Sequence, residues 1–294
     1  MNDILETEED REEYQRVDTL LLFVGYSRSR HTLLASLLDG HPHMVVANEN
    51  DLFARLKNGA KFKRNELFDM LVKGSKSFLK GGKGMVMTGT LENTTHFGFW
   101  MEGYWQGKYD KYLKVVGDKT AWSTSAVILN MPRDTLMSLV EDTENKYRVK
   151  VKFIHIIRNP FDIVSTITLR RTNQSGGRFE DHIKKVNDPE LLDHSMDRFF
   201  RWAEGSAIAR EILGDKLLDV NGLELVLKPV ETMSKICRFI EITCSDEFLK
   251  ACAKVVDPTP SITRHYVVWS KDQMNKMYSV IEQYPFLSHY TFND

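Results

Sequence analysis

Thr19-Leu-Leu-Leu-Phe-Val24 is a short run with no charged interruption, the pattern of a strand buried on both faces. A polar turn, Gly25-Tyr-Ser-Arg-Ser-Arg30, follows it, and His31 to Asp39 has helical spacing up to a stop at Gly40. The alternation then recurs. His43–Asn48 predicts a second strand, and helical patterns cover roughly 50–57 and 65–80 before the Gly81-Gly-Lys-Gly84 break. Tyr112–Val116 predicts a third strand, ending at Gly117-Asp-Lys-Thr120. Val151–Ile157 is the strongest strand of the second half; it runs into Arg158-Asn-Pro-Phe-Asp162 and a helix to about Arg171. Further helices are expected at 193–213, 229–241, 246–254 and 270–284, with a strand near 216–220. Strands alternating with helices predict a single α/β domain, with a central, mostly parallel sheet flanked by helices. That domain is expected over 18–294, behind an acidic arm at 1–17 that reads as solvated chain or a lead-in helix.

Composition narrows the partners. The 294 residues carry 40 basic and 41 acidic side chains, a net charge of −1, without the basic excess of a nucleic-acid binder. A local basic pocket for a small anion stays possible. With 42% hydrophobic, 11% aromatic and 28% charged residues the chain reads as globular. No apolar run approaches the roughly 20 residues of a membrane span, and the acidic start lacks the features of a signal peptide, so a cytoplasmic protein without membrane contact is expected. Cys237, Cys244 and Cys252 match no zinc spacing and read as reduced, structural residues. His41 and His155 are likewise expected to be structural.

The first turn sits where a phosphate loop works. Amides at the start of a helix point outward unpaired, and the helix dipole favours an anion there. Laid on the pattern GxxxxGK[ST], Gly25 takes the first glycine and Thr32 the closing hydroxyl, while Arg30 replaces the second glycine and His31 the lysine. The context suits phosphate; the residues do not suit ATP hydrolysis. Arg158 stands at the end of a buried strand, where α/β proteins place ligand contacts. Thr166 and Arg170, four apart, share a helix face near it, and two arginines with a hydroxyl would hold a phosphate dianion.

Two phosphate sites on one sheet point to a nucleotide with phosphates at both ends, and here the sequence resembles the sulfotransferase family, which uses 3′-phosphoadenosine 5′-phosphosulfate. Tyr26-Ser-Arg-Ser-Arg-His-Thr-Leu-Leu34 resembles that family's 5′-phosphosulfate loop, and Ile157-Arg-Asn-Pro-Phe-Asp-Ile-Val-Ser-Thr166 its 3′-phosphate motif. The resemblance extends over about 18–290 and includes the helix after Leu227. Leu37-Leu-Asp-Gly-His-Pro-His-Met-Val-Val-Ala-Asn-Glu49 looks most like the tyrosylprotein and carbohydrate-type branch, in which a glutamate matched by Glu49 is the base. In Gly117-Asp-Lys-Thr-Ala121, alanine stands where other branches have a histidine base.

The resemblance implies sulfuryl transfer to a hydroxyl or amine, with a small-molecule acceptor expected. Glu49 would act as general base and Arg28 and Lys119 as charge-neutralising catalytic cations, with no metal. Arg28, Ser29, Arg30, His31, Thr32 and Leu33 would bind the 5′ side, Arg30 as an added cation at the phosphosulfate. Arg158, Ser165 or Thr166, and Arg170 would bind the 3′-phosphate. Arg264 and Trp269, in a late loop, are further nucleotide candidates, though Trp269 reads equally as core. Phe97, Phe99, Trp100, Trp105 and Trp122 form a candidate acceptor wall. The competing readings are a P-loop kinase-like phosphotransferase using ATP and magnesium, and a nucleotide-binding interaction module without turnover.

Overall fold

The apolar run Thr19–Val24 forms strand β1, and all its residues are buried. In a strand, successive side chains face opposite ways. Leu20, Leu22 and Val24 accordingly join one core layer, and Leu21 and Phe23 the other. The computed structural model describes residues 11–80, 103–104, 106–172 and 185–294.

β1 is central in a five-stranded sheet. With β2 (Met44–Asn48), β3 (Val115–Lys119), β4 (Lys150–Ile157) and β5 (Leu217–Asn221), the order is β2-β3-β1-β4-β5. Every pairing is parallel. Helices α1 (His31–Asp39), α2 (Leu52–Lys57), α3 (Arg64–Lys80), α4 (Ala121–Leu129), α5 (Arg133–Tyr147), α6 (Pro160–Arg171), α7 (Pro189–Leu213), α8 (Gly222–Leu227), α9 (Pro229–Phe239), α10 (Asp246–Val255) and α11 (Lys271–Ile281) complete the chain. This is a single α/β domain with a parallel sheet flanked by helices, as the alternating pattern predicts.

One face of the sheet packs against α3, α5 and the end of α7, and the other against α1 and α8 to α10. A third apolar cluster joins α6, α7 and α11 to the segment from Phe286 to Tyr290, with Tyr26 of the first turn among them. That cluster braces the carboxyl edge of the sheet, where the strand ends open toward a ligand.

Several expectations are corrected. The third strand is Val115–Lys119, not 112–116, so Gly117-Asp-Lys119 lies inside the sheet. Tyr112 instead stacks on His43 at 4.1 Å and leads into the strand. Helices α4, α5 and α8 are additions. The sequence of α4, Ala-Trp-Ser-Thr-Ser-Ala-Val-Ile-Leu, lacks a clear polar face because it is wedged against α7. At the amino end Tyr14 and Val17 are buried in the first core layer, and Tyr14 donates to Asp69 of α3 at 2.6 Å. The reading of three reduced cysteines is also corrected: Cys237 and Cys244 form a disulfide, and Cys252 is free and buried. After α9 the chain folds back, Ile242 N–H donating to Cys237 O, which sets the two Cα atoms 6.1 Å apart, within bridging reach. No helix among the described residues is long and apolar enough to cross a membrane.

Candidate active site at the carboxyl edge of the sheet

The first corner grows out of β1. Gly25 has φ 136°, and a Cβ there would lie 2.9 Å from His31 Cε1, so the turn needs glycine. Its N–H donates to Ser125 Oγ at 2.8 Å, pinning the turn to α4. Arg28 and Arg30 follow with φ 69° and 73°, left-handed conformations that curl the loop over the start of α1. Arg30 is the N-cap of α1 and makes no side-chain cap bond. The first amides of α1 are therefore left for another acceptor.

The interior of this loop is polar and filled. Ser29 is fully buried; its hydroxyl donates to Tyr26 O at 2.8 Å and lies 2.6 Å from His31 Nδ1. His31 Nε2 lies 3.2 Å from Val24 O, and burial pushes the imidazole pKa down to about 3. Both side chains thus hold the loop in shape. Thr32 and Leu33 stand half-buried in the first turn of α1. Arg28 is exposed at the tip of the loop; burial of part of its guanidinium and the neighbouring Arg170 lower its pKa, and Glu49 opposes them.

β2 and β3 bring Glu49 and Lys119 together. Asn48 pairs with Lys119 in the sheet, Glu49 N–H donates to Lys119 O at 3.3 Å, and Lys119 Nζ donates to Glu49 Oε1 at 3.1 Å. The Lys119 side chain is 6% exposed and that of Glu49 54%. Burial lowers the Lys119 pKa, and the Glu49 carboxylate counters this. Asp118, which the sequence reading passes over, builds the turn that presents Glu49. Its carboxylate accepts from Asn50 N–H at 2.9 Å, Leu52 N–H at 2.8 Å and the Thr120 hydroxyl at 2.8 Å. The signal for it was present in Gly-Asp-Lys-Thr, but its partners are nearly seventy residues away.

The second corner lies at the end of β4. Asn159 caps α6 by accepting from Phe161 N–H, and Pro160 fills the first helical position. Arg158 donates through Nη1 to Arg28 O at 2.8 Å and through Nη2 to Ser261 O at 2.7 Å, so it ties the first loop to the late loop. Its Nε is buried without a hydrogen-bond partner among the described residues. Asp162 accepts from the N–H groups of Thr263 at 2.8 Å and Arg264 at 3.0 Å, and lies 3.3 Å from Arg264 Nε.

Thr166 is buried, its hydroxyl donating to Asp162 O at 2.7 Å and lying 2.9 Å from Thr263 Oγ1, so it braces the late loop. Ser165 is fully buried within α6. Arg264 is 3% exposed and donates to Thr291 O at 3.3 Å, while Trp269 donates to Arg264 O at 3.2 Å and packs edge-on against Phe161. Arg264 and Trp269 therefore hold the corner together from within. Arg170 is half-buried, near Arg28. Trp122 stands 38% exposed at the start of α4, three residues beyond Lys119. Phe97, Phe99, Trp100 and Trp105 lie outside the described residues.

The comparisons with known proteins agree with this geometry. A sulfotransferase family model matches residues 150–246, the stretch from β4 into the start of α10 that carries Arg158 and Arg170. The sulfotransferase domain of the Synechococcus PCC 7002 olefin synthase is similar in structure, at TM-score 0.52 and 14% identity over 94% of this chain and 98% of that one. Sulfotransferase STF9 from Mycobacterium avium is similar at TM-score 0.50 and 13% identity, over 92% of this chain and 77% of that one. No curated protein matches the sequence. Arg158, Asp162 and Arg170 of the second corner lie within the stretch that matches the sulfotransferase family model, and the fold is like that of these sulfotransferase domains.

Proposed function

We propose that this chain transfers a sulfuryl group from 3′-phosphoadenosine 5′-phosphosulfate to a hydroxyl or amine of a small-molecule acceptor. The observation that carries this reading is the convergence of Arg28, Lys119 and Arg158 at the carboxyl ends of three adjacent strands, with Glu49 beside them, in a chain of net charge −1. Two anion-receptive corners on neighbouring strands fit a nucleotide carrying phosphates at both ends. The uncapped start of α1 and the Arg28 guanidinium suit the 5′ side, and the buried, unpartnered Arg158 Nε suits the 3′-phosphate.

The donor supplies an activated sulfuryl group whose leaving group is a phosphate. Glu49 takes the acceptor's proton while the acceptor atom bonds to sulfur and the sulfur–oxygen bond to the 5′-phosphate breaks. Lys119 has three donors, so it can keep Glu49 oriented and still meet the charge that grows on the leaving oxygen. Arg28 adds a second cation to that oxygen, and the amides of Ser29 to Thr32 fix the phosphate in line. Arg158 holds the far phosphate, so its loss acts on binding and positioning more than on chemistry. Glu49 as base also matches the tyrosylprotein and carbohydrate-type branch, which the Leu-Asp-Gly-His-Pro segment resembles.

One observation bears on the compartment. A cytoplasmic enzyme is the sequence expectation, whereas the Cys237–Cys244 disulfide fits an oxidising compartment. Peptide mapping of the protein from its native source without reduction decides between them.

The test is calorimetric titration with 3′-phosphoadenosine 5′-phosphate, with ATP plus magnesium and 5′-AMP as controls, followed by turnover of Glu49→Gln. Binding that depends on the 3′-phosphate and weakens at least tenfold in Arg158→Ala is expected. Glu49→Gln should keep that affinity and lose roughly 100-fold or more in turnover. A preference for ATP overturns the reading, and unchanged turnover in Glu49→Gln removes the glutamate from its role.

A further inference from the structure

Arg30 stands where a left-handed conformation favours glycine: as N-cap of α1 it has φ 73° and ψ 15°, which strains any residue with a Cβ. The side chain it carries there does not turn toward the start of α1. It crosses the end of β4, which lies between β1 and β5, and its Nη1 donates to Gly222 O at 2.8 Å where β5 passes into α8. Gly222 packs closely on the end of β4: a Cβ there would lie 3.0 Å from Ile157 O and 3.4 Å from Arg30 Nη1. Arg30 thus ends beside Arg158, and burial together with the Arg158 charge lowers its pKa to about 10.

This corner gathers three guanidiniums, those of Arg30, Arg158 and Arg264, around Asp162, with Asp294 and Glu224 facing Tyr290 beside them. Arg30 and Arg158 share Asp162, which already accepts two backbone amides and pairs with Arg264. Two buried polar groups in the same electrostatic neighbourhood, Arg158 Nε and the Tyr290 hydroxyl, have no hydrogen-bond partner among the described residues. Two neighbouring guanidiniums beside a buried donor without a partner suit an anion.

We propose that Arg30 is a second guanidinium of the 3′-phosphate site, facing that phosphate beside Arg158 and setting the preference for a 3′-phosphorylated nucleotide. This inference rests on the sulfuryl-transfer reading above. It moves Arg30 from the phosphosulfate, where the sequence placed it, to the other end of the donor. A single loop then serves both ends, Arg28 the 5′ side and Arg30 the 3′ side.

The experiment measures the affinities of 3′-phosphoadenosine 5′-phosphate and 5′-AMP for the wild type, Arg30→Gly and Arg30→Gln, alongside thermal unfolding. Arg30→Gly relaxes the backbone, and Arg30→Gln keeps a donor for Gly222 O while removing the charge. Both variants should lose about tenfold to hundredfold in affinity for the 3′-phosphorylated nucleotide, with affinity for 5′-AMP unchanged. Arg30→Gly should melt no lower than the wild type. A folded variant of either kind that keeps the wild-type preference, or that loses both nucleotides equally, overturns the assignment of Arg30. A wild type without preference for the 3′-phosphorylated nucleotide overturns the sulfuryl-transfer reading itself, and the two failures are told apart by which protein shows them.

Discussion

The two corners of the site handle charge in opposite ways. At the ends of β1, β2 and β3 the charged groups are accessible: Arg28 is exposed, and the Glu49 carboxylate reaches solvent while holding one bond to buried Lys119. At the end of β4 the polar groups are buried, and each is tied to a distant part of the chain. Arg158 holds residues 28 and 261, Asp162 holds 263 and 264, and Arg264 reaches Thr291. A group that must exchange a proton with an acceptor has to be reachable. Groups that define where a nucleotide lies work best when their own positions cannot change.

Breaking the rigid corner should have the largest effect. In Asp162→Ala the amides of Thr263 and Arg264 lose their acceptor, and the buried Arg264 guanidinium loses its carboxylate. A loss of about 3–5 kcal/mol in denaturant unfolding is expected. A loss below about 1 kcal/mol would mean that the corner is held mainly by packing.

Gly25→Ala strikes the loop of the accessible corner from beneath. Its Cβ would sit 2.9 Å from His31 Cε1 and 3.1 Å from His155 Cδ2, at a φ of 136°. About 2–3 kcal/mol of destabilisation is expected from strain and displaced imidazoles, read as a fall in melting temperature.

Acid should act on that same buried layer. His31 stays neutral in the fold down to about pH 3, and His41 to about pH 4, whereas unfolded histidines protonate near 6.5. A depressed folded pKa means stability that is present above pH 6.5 and lost as pH falls through that window. For His31 alone the loss between pH 7 and pH 5 is about 2 kcal/mol. Asp39, raised to about 6 by burial, works in the opposite direction below pH 6 and offsets part of it. Melting curves at pH 7 and pH 5 check the sign: an unchanged or higher melting temperature at pH 5 would contradict the neutral, buried imidazoles.

Glu49→Gln should have the smallest effect on stability, about 1 kcal/mol, because its amide oxygen can still accept from Lys119. Set against its expected loss of turnover, that small change would sharpen the contrast with Asp162, whose carboxylate is taken up by two backbone amides and Arg264.

Much of the site was legible because its signals are local. The strand, the glycine, the polar turn and the helix at 19–39 are contiguous, and so are β4, Arg158, the Asn159 cap and Pro160. Asp39 and His41 of the Leu-Asp-Gly-His-Pro segment were visible as a motif but not as to purpose. Asp39 accepts from Val46 N–H, the Ser75 hydroxyl and Gly107 N–H, and His41 Nε2 lies 3.1 Å from Thr243 O, which makes them braces for the fold. Thr166 matched the family motif by position, yet its hydroxyl bonds to Asp162 and Thr263, a contact nearly a hundred residues away. The disulfide was missed because helical spacing for Cys237 shows nothing of the reversal after α9 that brings Cys244 back to it.

The sequence by itself determined the parallel α/β class and the two strand-end turns, because hydrophobic period, glycine and proline act within a few residues, and its family resemblance named Glu49 and Lys119 as separate candidates. Only the tertiary structure decided which cations stay exposed and which are locked inside, and that Arg30 leaves the first loop for the end of β5. Those outcomes depend on burial and on carbonyls and carboxylates supplied from far along the chain. A polar side chain removed from water takes the partner that the fold brings to it.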